Sequence, residues 1–298
     1  VRFTLVGANQ GNYTLANSAA VGRIYQYVAP FNGILQGNYE PIVRLVAPTK
    51  IQIATVMGKY KPSEKTLVDF EIGISNNDLN LFSSAEDSDN SGVAGRIYAK
   101  QRLLSKKWEI DAFANYQFVQ KEFKTIERLF TIEFDRDWNL VNPLGNQSLL
   151  ISGANFNLPG KGSAKYQLEK LDFSESFSGS RHVVDGLFRF KNVMIQNSGS
   201  ILKSDSDYSE STFIRNQSQA RYHFNKNWVG GSFRLEDNEE RLKETNQFSA
   251  LSQRFHEFGA FVGRGDSTKV FVELGYLQRS NDSLVNGLIQ KVNTSNSY

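Results

Sequence analysis

The clearest regularity along the chain is an alternation of apolar and polar side chains with a period of two residues. In WEIDAFANYQF, which begins at Trp108, even-numbered side chains are apolar and odd-numbered ones are mostly polar, with Phe113 an exception. STFIRNQSQARYHF likewise separates Ile214 and Tyr222 from Arg215. Because the side chains of a β-strand alternate between its two faces, both stretches predict half-buried strands.

The connections between these stretches also alternate in kind. Short turns are predicted near 105–107, 135–137, 159–163, 197–199, 225–227 and 264–268, and longer polar connections near 121–124, 143–147, 175–181, 204–211, 237–252 and 280–283. Bacterial outer-membrane barrels show this asymmetry, with short periplasmic turns and long external loops. We therefore predict an all-β fold whose residues 91–298 form an antiparallel up-and-down meander, either an outer-membrane β-barrel-like structure or a large β-sheet.

A different composition marks the first part of the chain. All six prolines lie within residues 1–159, and QGNY occurs twice, in Gln10–Leu15 and Gln36–Pro41. Gly-Asn favours a turn with positive φ, and the Tyr that follows opens a strand. Residues 1–90 are therefore predicted to form small sandwich-like β modules that carry the QGNY repeat.

All three tryptophans close the same five-residue frame, in LSKKW, FDRDW and FNKNW. Each frame has the chemistry of a tight turn, so we expect Trp108, Trp138 and Trp228 to lie at one end of the sheet with their side chains on one outer face. A ring of Trp at one end of a sheet is typical of the aromatic girdle at a membrane interface. The alternative is that Trp simply begins strands after hairpins built from Asn, Asp or Ser with Lys.

Composition excludes several classes of protein. The mean hydropathy is −0.42 and the apolar runs are short, which excludes helical membrane spans of about 20 residues. The net charge is only +3 and the charges are interspersed, so no nucleic-acid partner is expected. With no cysteine, the chain has neither a disulfide framework nor a thiolate metal site.

One acidic stretch, DSDNSG, resembles the first half of a calcium-binding loop. Asp87, Asp89 and Ser91 place oxygen atoms at the first, third and fifth positions, and Gly92 follows. The Glu that would close such a loop is replaced by Tyr98. Calcium is the one cofactor that the sequence raises, and the alternative is a solvated acidic turn.

Catalytic motifs are not evident, and we predict that the chain is not an enzyme. The three histidines, His182, His223 and His256, are far apart, and the chain has neither a nucleophile elbow nor a Walker loop. A hydrolase embedded in a barrel is the enzymatic alternative. Arg264–Asp266 spells RGD, but its flanks predict an ordinary hairpin turn rather than an adhesion motif.

Three longer stretches carry a resemblance to a family: FEIGISNNDLNLFSSAEDSDNSGVA, KEFKTIERLFTIEFDRDWNL and FSGSRHVVDGLFRF. Together they resemble a class of large cell-envelope proteins of Bacteroidota in which a QGNY-type module precedes a long antiparallel β region. The resemblance implies a place in the outer membrane or periplasm of a Gram-negative bacterium. It also implies partners among other envelope proteins, with the type 9 secretion translocon among them.

These observations lead to one expected function and two alternatives. We expect a non-enzymatic outer-membrane or envelope protein that acts as a barrel or as a docking β-sheet in a larger complex. The alternatives are a subunit or plug of a type 9 protein secretion translocon and a soluble envelope module for binding or adhesion. Both chain ends read as interior to β structure, so we expect a piece of a longer protein that leaves an open strand edge for a partner.

Overall fold

The computed structural model describes residues 1–17, 22–43, 46–85, 87–265 and 270–298. It is all-β, with 66% strand and 3% helix, and its sheets are antiparallel, which confirms the predicted fold class. The chain divides into two compact units, Val1–Lys50 with Asp78–Ala85, and Ile51–Asn77 with Glu86–Tyr298.

The first unit contains a small four-stranded sheet. Its strands are β1 (Thr4–Leu5), β2 (Tyr13–Leu15), β3 (Tyr25–Tyr27) and β4 (Tyr39–Glu40). They lie in the order β1-β4-β2-β3. Aromatic rings pack together on this sheet. Phe3 stacks on Tyr25 with ring centroids 4.3 Å apart, and it contacts Tyr13 edge-on with ring centroids 4.8 Å apart.

The two copies of QGNY pair with each other in this sheet. Gly11 and Gly37 exchange both backbone hydrogen bonds, at 3.0 and 2.8 Å, and Tyr13 pairs with Tyr39. A Cβ atom at Gly11 would lie 2.5 Å from the carbonyl oxygen of Tyr39, and one at Gly37 would lie 2.4 Å from the backbone nitrogen of Tyr13. Glycine is needed at both positions because any side chain would collide with the facing backbone.

The second unit contains a 13-stranded sheet that follows chain order from one edge to the other. Its strands are β5 (Lys50–Ser63), β6 (Thr66–Asp78), β7 (Ser91–Ser105), β8 (Glu109–Val119), β9 (Gln147–Leu158), β10 (Gly162–Phe173), β11 (Phe177–Phe190), β12 (Val193–Ser206), β13 (Ser209–Phe224), β14 (Asn227–Leu242), β15 (Gln253–Gly265), β16 (Phe271–Val285) and β17 (Leu288–Ser297). The edges of the sheet are β5 and β17, and the described residues show no pairing between them. Of the two forms that the sequence leaves open, the described part of the chain therefore shows the large sheet.

The domain boundary expected near residue 90 needs correction. Strands β5 and β6 were assigned to the Pro-containing region, but they pair into the large sheet and belong to the second unit. Their alternating pattern is the same as that of the later strands. Proline content marked the wrong boundary because it reports local backbone restriction and not strand partners.

The two ends of the large sheet differ in their connections. The turn end carries the short turns 64–65, 106–108, 159–161, 191–192 and 225–226. The loop end carries connections 79–90, 120–146, 174–176, 207–208, 243–252 and 286–287. Predicted turns near 106, 160 and 226 match this arrangement, whereas the turn predicted at 197–199 lies inside β12. The predicted turn at 264–268 lies partly outside the described residues.

The longest connection, residues 120–146, packs against one face of the sheet and is called the covering segment. It contains the short helix α1 (Phe134–Trp138), which ends at Asn139 with φ 53°. The sequence predicts a short turn near 135–137 here. The missed signal is the spacing of Phe134 and Trp138, which is four residues and therefore helical. Phe130, which precedes the helix, stacks on Phe134 with ring centroids 4.1 Å apart.

Candidate functional site

The large sheet has one apolar and one polar face, and the apolar face is exposed. The apolar face carries exposed side chains from successive paired strands: Tyr116, Leu150, Phe156, Tyr166, Val184, Phe190, Ile195, Ile201, Tyr222, Phe224 and Val229. Among the large apolar side chains exposed in β8–β14, Leu187 and Leu242 lie on the other face. Such a broad exposed apolar surface marks an interaction with a membrane or a partner.

A row of polar residues ends the apolar face towards the loop end. The row crosses five neighbouring strands through the paired residues Lys170, Ser180, Lys203, Thr212 and Glu239. On β12 the apolar face therefore runs from Val193 to Ile201, and Lys203 follows it. A transmembrane β-strand needs about 9–11 residues, so the length of this stretch suits a bilayer core.

Aromatic side chains end the apolar face towards the turn end. Phe188 stacks on Phe190 with centroids 6.1 Å apart, and Tyr222 stacks on Phe224 at 6.0 Å. Trp108 stands in the turn between β7 and β8, where it is 46% exposed. The aromatic border that the sequence predicted from Trp is thus built mainly from Phe and Tyr.

Polar side chains on the apolar face bond to one another. The Nδ2 group of Asn197 donates to Ser218 at 2.8 Å, and the hydroxyl of Ser218 donates to Asn216 at 2.8 Å. Tyr166 and His182 form a further pair at 2.8 Å. These bonds lower the cost of placing polar groups in apolar surroundings.

Charged side chains dominate the polar face, which lies behind the apolar one. Arg181 bonds to Glu169 through Nε at 2.6 Å, and Arg234 contacts Glu236 at 3.1 Å. Nearer the turn end, the guanidinium of Arg102 bonds to both oxygens of Asp111. This hydrogen bonding from Arg102 is the main cause that lowers the pKa of Asp111 from its ordinary value.

The covering segment lies on the polar face, where it builds the hydrophobic core. Trp138 is 1% exposed and lies beneath Arg181, whose guanidinium carbon is 4.6 Å from the ring centroid. The residues packed around this core are Leu140, Leu149, Leu171, Phe177, Leu202 and Phe213. Asn139 donates to Ser211 at 2.9 Å and to Asn238 at 2.8 Å.

The three tryptophans share neither one end nor one face of the sheet, which corrects the expectation from their common frame. Trp108 is exposed at the turn end, Trp138 belongs to α1 in the core, and Trp228 lies on the polar face. The indole Nε1 of Trp228 donates to Glu273 at 2.6 Å. The expectation is wrong because FDRDW forms the helix α1, and because the side chain of Trp228 points to the face of the sheet opposite to that of Tyr222 and Phe224.

The candidate calcium residues lie in a short turn and at the start of the strand that follows it. Asp87 and Asp89 form a single 3-10 turn, and Ser91 begins β7. The Asp87 carboxylate accepts a hydrogen bond from Asn90 at 3.0 Å, and Ser91 accepts one from Asn76 at 3.0 Å. No cluster of three or more acidic, His or Cys side chains able to hold a metal occurs in the described part of the chain.

The three histidines lie on three different strands, β11, β13 and β15. His182 and His256 lie on the apolar face, where His256 packs against Phe258 at 5.9 Å, and His223 lies on the polar face beside Trp228. Between residues 1 and 298, outside the gaps given above, no helix is long and apolar enough to cross a bilayer.

Comparison with protein-family models and with curated proteins finds no match for this chain. The two faces of the large sheet are therefore the features that point to a function. Sequence reasoning found the alternation that creates them. It missed the lysines of the turn end, although two of the Trp frames, LSKKW and FNKNW, contain them.

Proposed function

We propose that the large sheet is a lipid-facing wall in the outer membrane of a Gram-negative bacterium, with a non-enzymatic, structural role in an envelope complex. The observation that carries the proposal is the exposed apolar face, which is bordered by aromatic rings at the turn end and by a polar row at the loop end. Outer-membrane strands have this arrangement, with an apolar band about 25 Å tall between aromatic girdles. The turn end would then face the periplasm.

The polar face supports the same proposal. Its ion pairs and its covering segment lie on the side away from lipid, as plugs and polar linings do in such proteins. A soluble sheet of this breadth would bury its apolar face and expose its charges, which is the reverse of the arrangement seen in β8–β14.

The two edges provide the docking function of the proposal. Neighbouring strands are antiparallel, so β5 and β17, an even number of steps apart, run in the same direction. Strand edges in hydrocarbon must be paired, because each unbonded backbone group there costs several kcal/mol. If a partner added an odd number of strands between β5 and β17, each added strand would be antiparallel to both of its neighbours. The partner implied by the family resemblance is an envelope protein, such as a type 9 translocon subunit.

Detergent dependence tests the proposal. We expect the purified chain to remain monodisperse only in detergent or bilayers, and to precipitate when detergent is removed. A chain that stays monodisperse in plain buffer would contradict the lipid-facing role and favour the soluble envelope module. Co-purification from native membranes tests the docking part separately.

A further inference from the structure

Lysines occupy every described turn of the turn end. They are Lys65, Lys106, Lys107, Lys161, Lys191 and Lys226. The antiparallel meander places these turns side by side along one rim of the sheet, directly beyond the aromatic border of the apolar face. Within these turns, Glu64 is the one acidic residue.

These lysines lack counter-charges. All six are exposed, and within the described residues none has a carboxylate oxygen within 4.0 Å of its ammonium group. Lysines at the loop end differ, since Lys121 pairs with Glu175 at 3.3 Å and Lys243 pairs with Asp205 at 2.7 Å. Over the described part of the chain, the rim of the turn end therefore carries six lysines without a paired carboxylate.

One of the turns indicates that charge rather than backbone preference favours lysine. Lys191 adopts φ 52°, a left-handed conformation in which Asn or Gly is less strained. Of the two two-residue turns at the loop end, Asn286–Gly287 has φ 52° and 78° and no charge, whereas Asp207–Tyr208 carries one acidic residue. A lysine in the left-handed position thus accepts a conformational cost that an uncharged turn avoids.

The connections at the loop end carry charges of both signs with an acidic excess, eleven acidic against five basic residues. Acidic side chains there include Asp87, Asp89, Glu175, Asp207 and Glu244. The basic end of the sheet is thus the turn end, which is also the end that adjoins the aromatic border. An interfacial position close to anionic groups would explain both features together.

We propose that the turn-end lysines bind the headgroups of anionic phospholipids in the adjacent leaflet. This inference rests on the proposed lipid-facing function and adds the lipid class. The long aliphatic stems let the ammonium groups reach the headgroup layer while the aromatic border stays at the edge of the hydrocarbon. At low salt, the attraction between one Lys and an anionic surface enriches anionic lipid near that side chain by roughly five-fold, and added salt screens this attraction.

Trp108 provides a natural reporter, because Lys106 and Lys107 precede it directly. The chain is reconstituted in phosphatidylcholine bilayers that contain a small, equal fraction of brominated phosphatidylcholine or brominated phosphatidylglycerol. Trp138 and Trp228 contribute a constant background, since neither faces the lipid side. At low salt we expect brominated phosphatidylglycerol to quench Trp108 several-fold more than the neutral lipid, and at 1 M salt we expect the two to quench equally.

Matched variants separate charge from fold. K106Q/K107Q should lose the excess quenching by phosphatidylglycerol but keep the quenching by phosphatidylcholine. The control K170Q/K203Q, which changes two lysines on the apolar-face side of the loop end, should keep the excess. A second reporter, F190W, tests another turn, and adding K191N should remove its excess without harming the turn.

The outcomes distinguish this inference from the proposed function. Equal quenching by both lipids at low salt would overturn lysine selectivity while leaving the lipid-facing wall intact. An excess that persists in K106Q/K107Q would overturn the role of these side chains. Absence of quenching by either lipid would overturn the proposed function itself.

Discussion

The carboxylate of Asp137 accepts a hydrogen bond from Nη1 of Arg215 at 2.7 Å, although 78 positions separate the two residues in the chain. This contact joins the covering segment to the polar face of β13. Both side chains are less than a third exposed, at 31% and 24%. In the described residues, Nε and Nη2 of Arg215 are buried without a further partner, so Asp137 provides its main polar contact.

Loss of this contact should loosen the covering segment. We expect D137N to lower its local stability by about 1–2 kcal/mol, because a partly buried guanidinium loses its ionic partner. Hydrogen exchange at residues 130–140 measures the effect. The control is D135N on the exposed side of the same helix, and equal protection loss in both variants would contradict the importance of the Arg215 contact.

Trp138 should be the most costly of the tryptophans to remove. Its side chain is 1% exposed at the centre of the core, so W138A should destabilise the large sheet by about 3–5 kcal/mol. W108A, at a position 46% exposed, should cost far less in a folding assay. Denaturant unfolding followed by circular dichroism compares them, and similar midpoints for the two variants would contradict the assigned core.

Because the two QGNY copies pair with each other, substitutions at Gly11 and at Gly37 should destabilise the small sheet to a similar extent. G11A and G37A should each destabilise the first unit by about 1–3 kcal/mol, because the new methyl group would overlap the facing backbone. G22A is the control, since no atom lies within 4 Å of its added Cβ. Tyrosine side-chain resonances report the folding of this unit. If G11A were as stable as G22A, the pairing of the two QGNY copies would be contradicted.

The ion pair between Arg102 and Asp111 predicts that the free energy of unfolding depends on pH. The hydrogen bond from Arg102 holds its folded pKa below the ordinary value of about 3.9. Its contribution to stability is therefore fully present above about pH 4 and is lost as pH falls through the lowered folded pKa. The difference in unfolding free energy between the native chain and D111N should shrink between pH 6 and pH 3, and a constant difference would show that the ionised pair does not stabilise the fold.

The parts of the fold that follow simple periodicity were predictable. Period-two alternation in WEIDAFANYQF and STFIRNQSQARYHF placed Ile110, Tyr116, Ile214 and Tyr222 on one face, and the strand registers confirm this. Phe113 was an exception on the polar side, where its ring lies 5.5 Å from the ammonium group of Lys165. Alternation is a local property, so it can be read without knowing the partner strands.

The parts that depend on distant contacts were not predictable in the same way. TIERLFTIEF alternates like a strand, yet it belongs to the covering segment, where Phe130 and Phe134 pack against the buried core around Trp138. Trp228 lies on the polar face because the register of β14 with β13 pairs it with His223, and its indole there donates to Glu273, 45 positions away. The candidate calcium site stays a prediction, since Asp87 and Asp89 only form a local turn in the structure.

The separation of the two faces is the central claim, and spin-label accessibility along β13 tests it most directly. The chain has no cysteine, so single cysteines can be introduced from Glu210 to Phe224 and labelled in bilayers. We expect even positions from 214 to 224 to contact oxygen dissolved in the lipid, and odd positions from 217 to 223 to contact a water-soluble nickel chelate. Positions 210 and 212 should be accessible to the chelate, because they lie beyond the apolar face. Equal access of the chelate to even and odd positions would contradict a lipid-facing sheet.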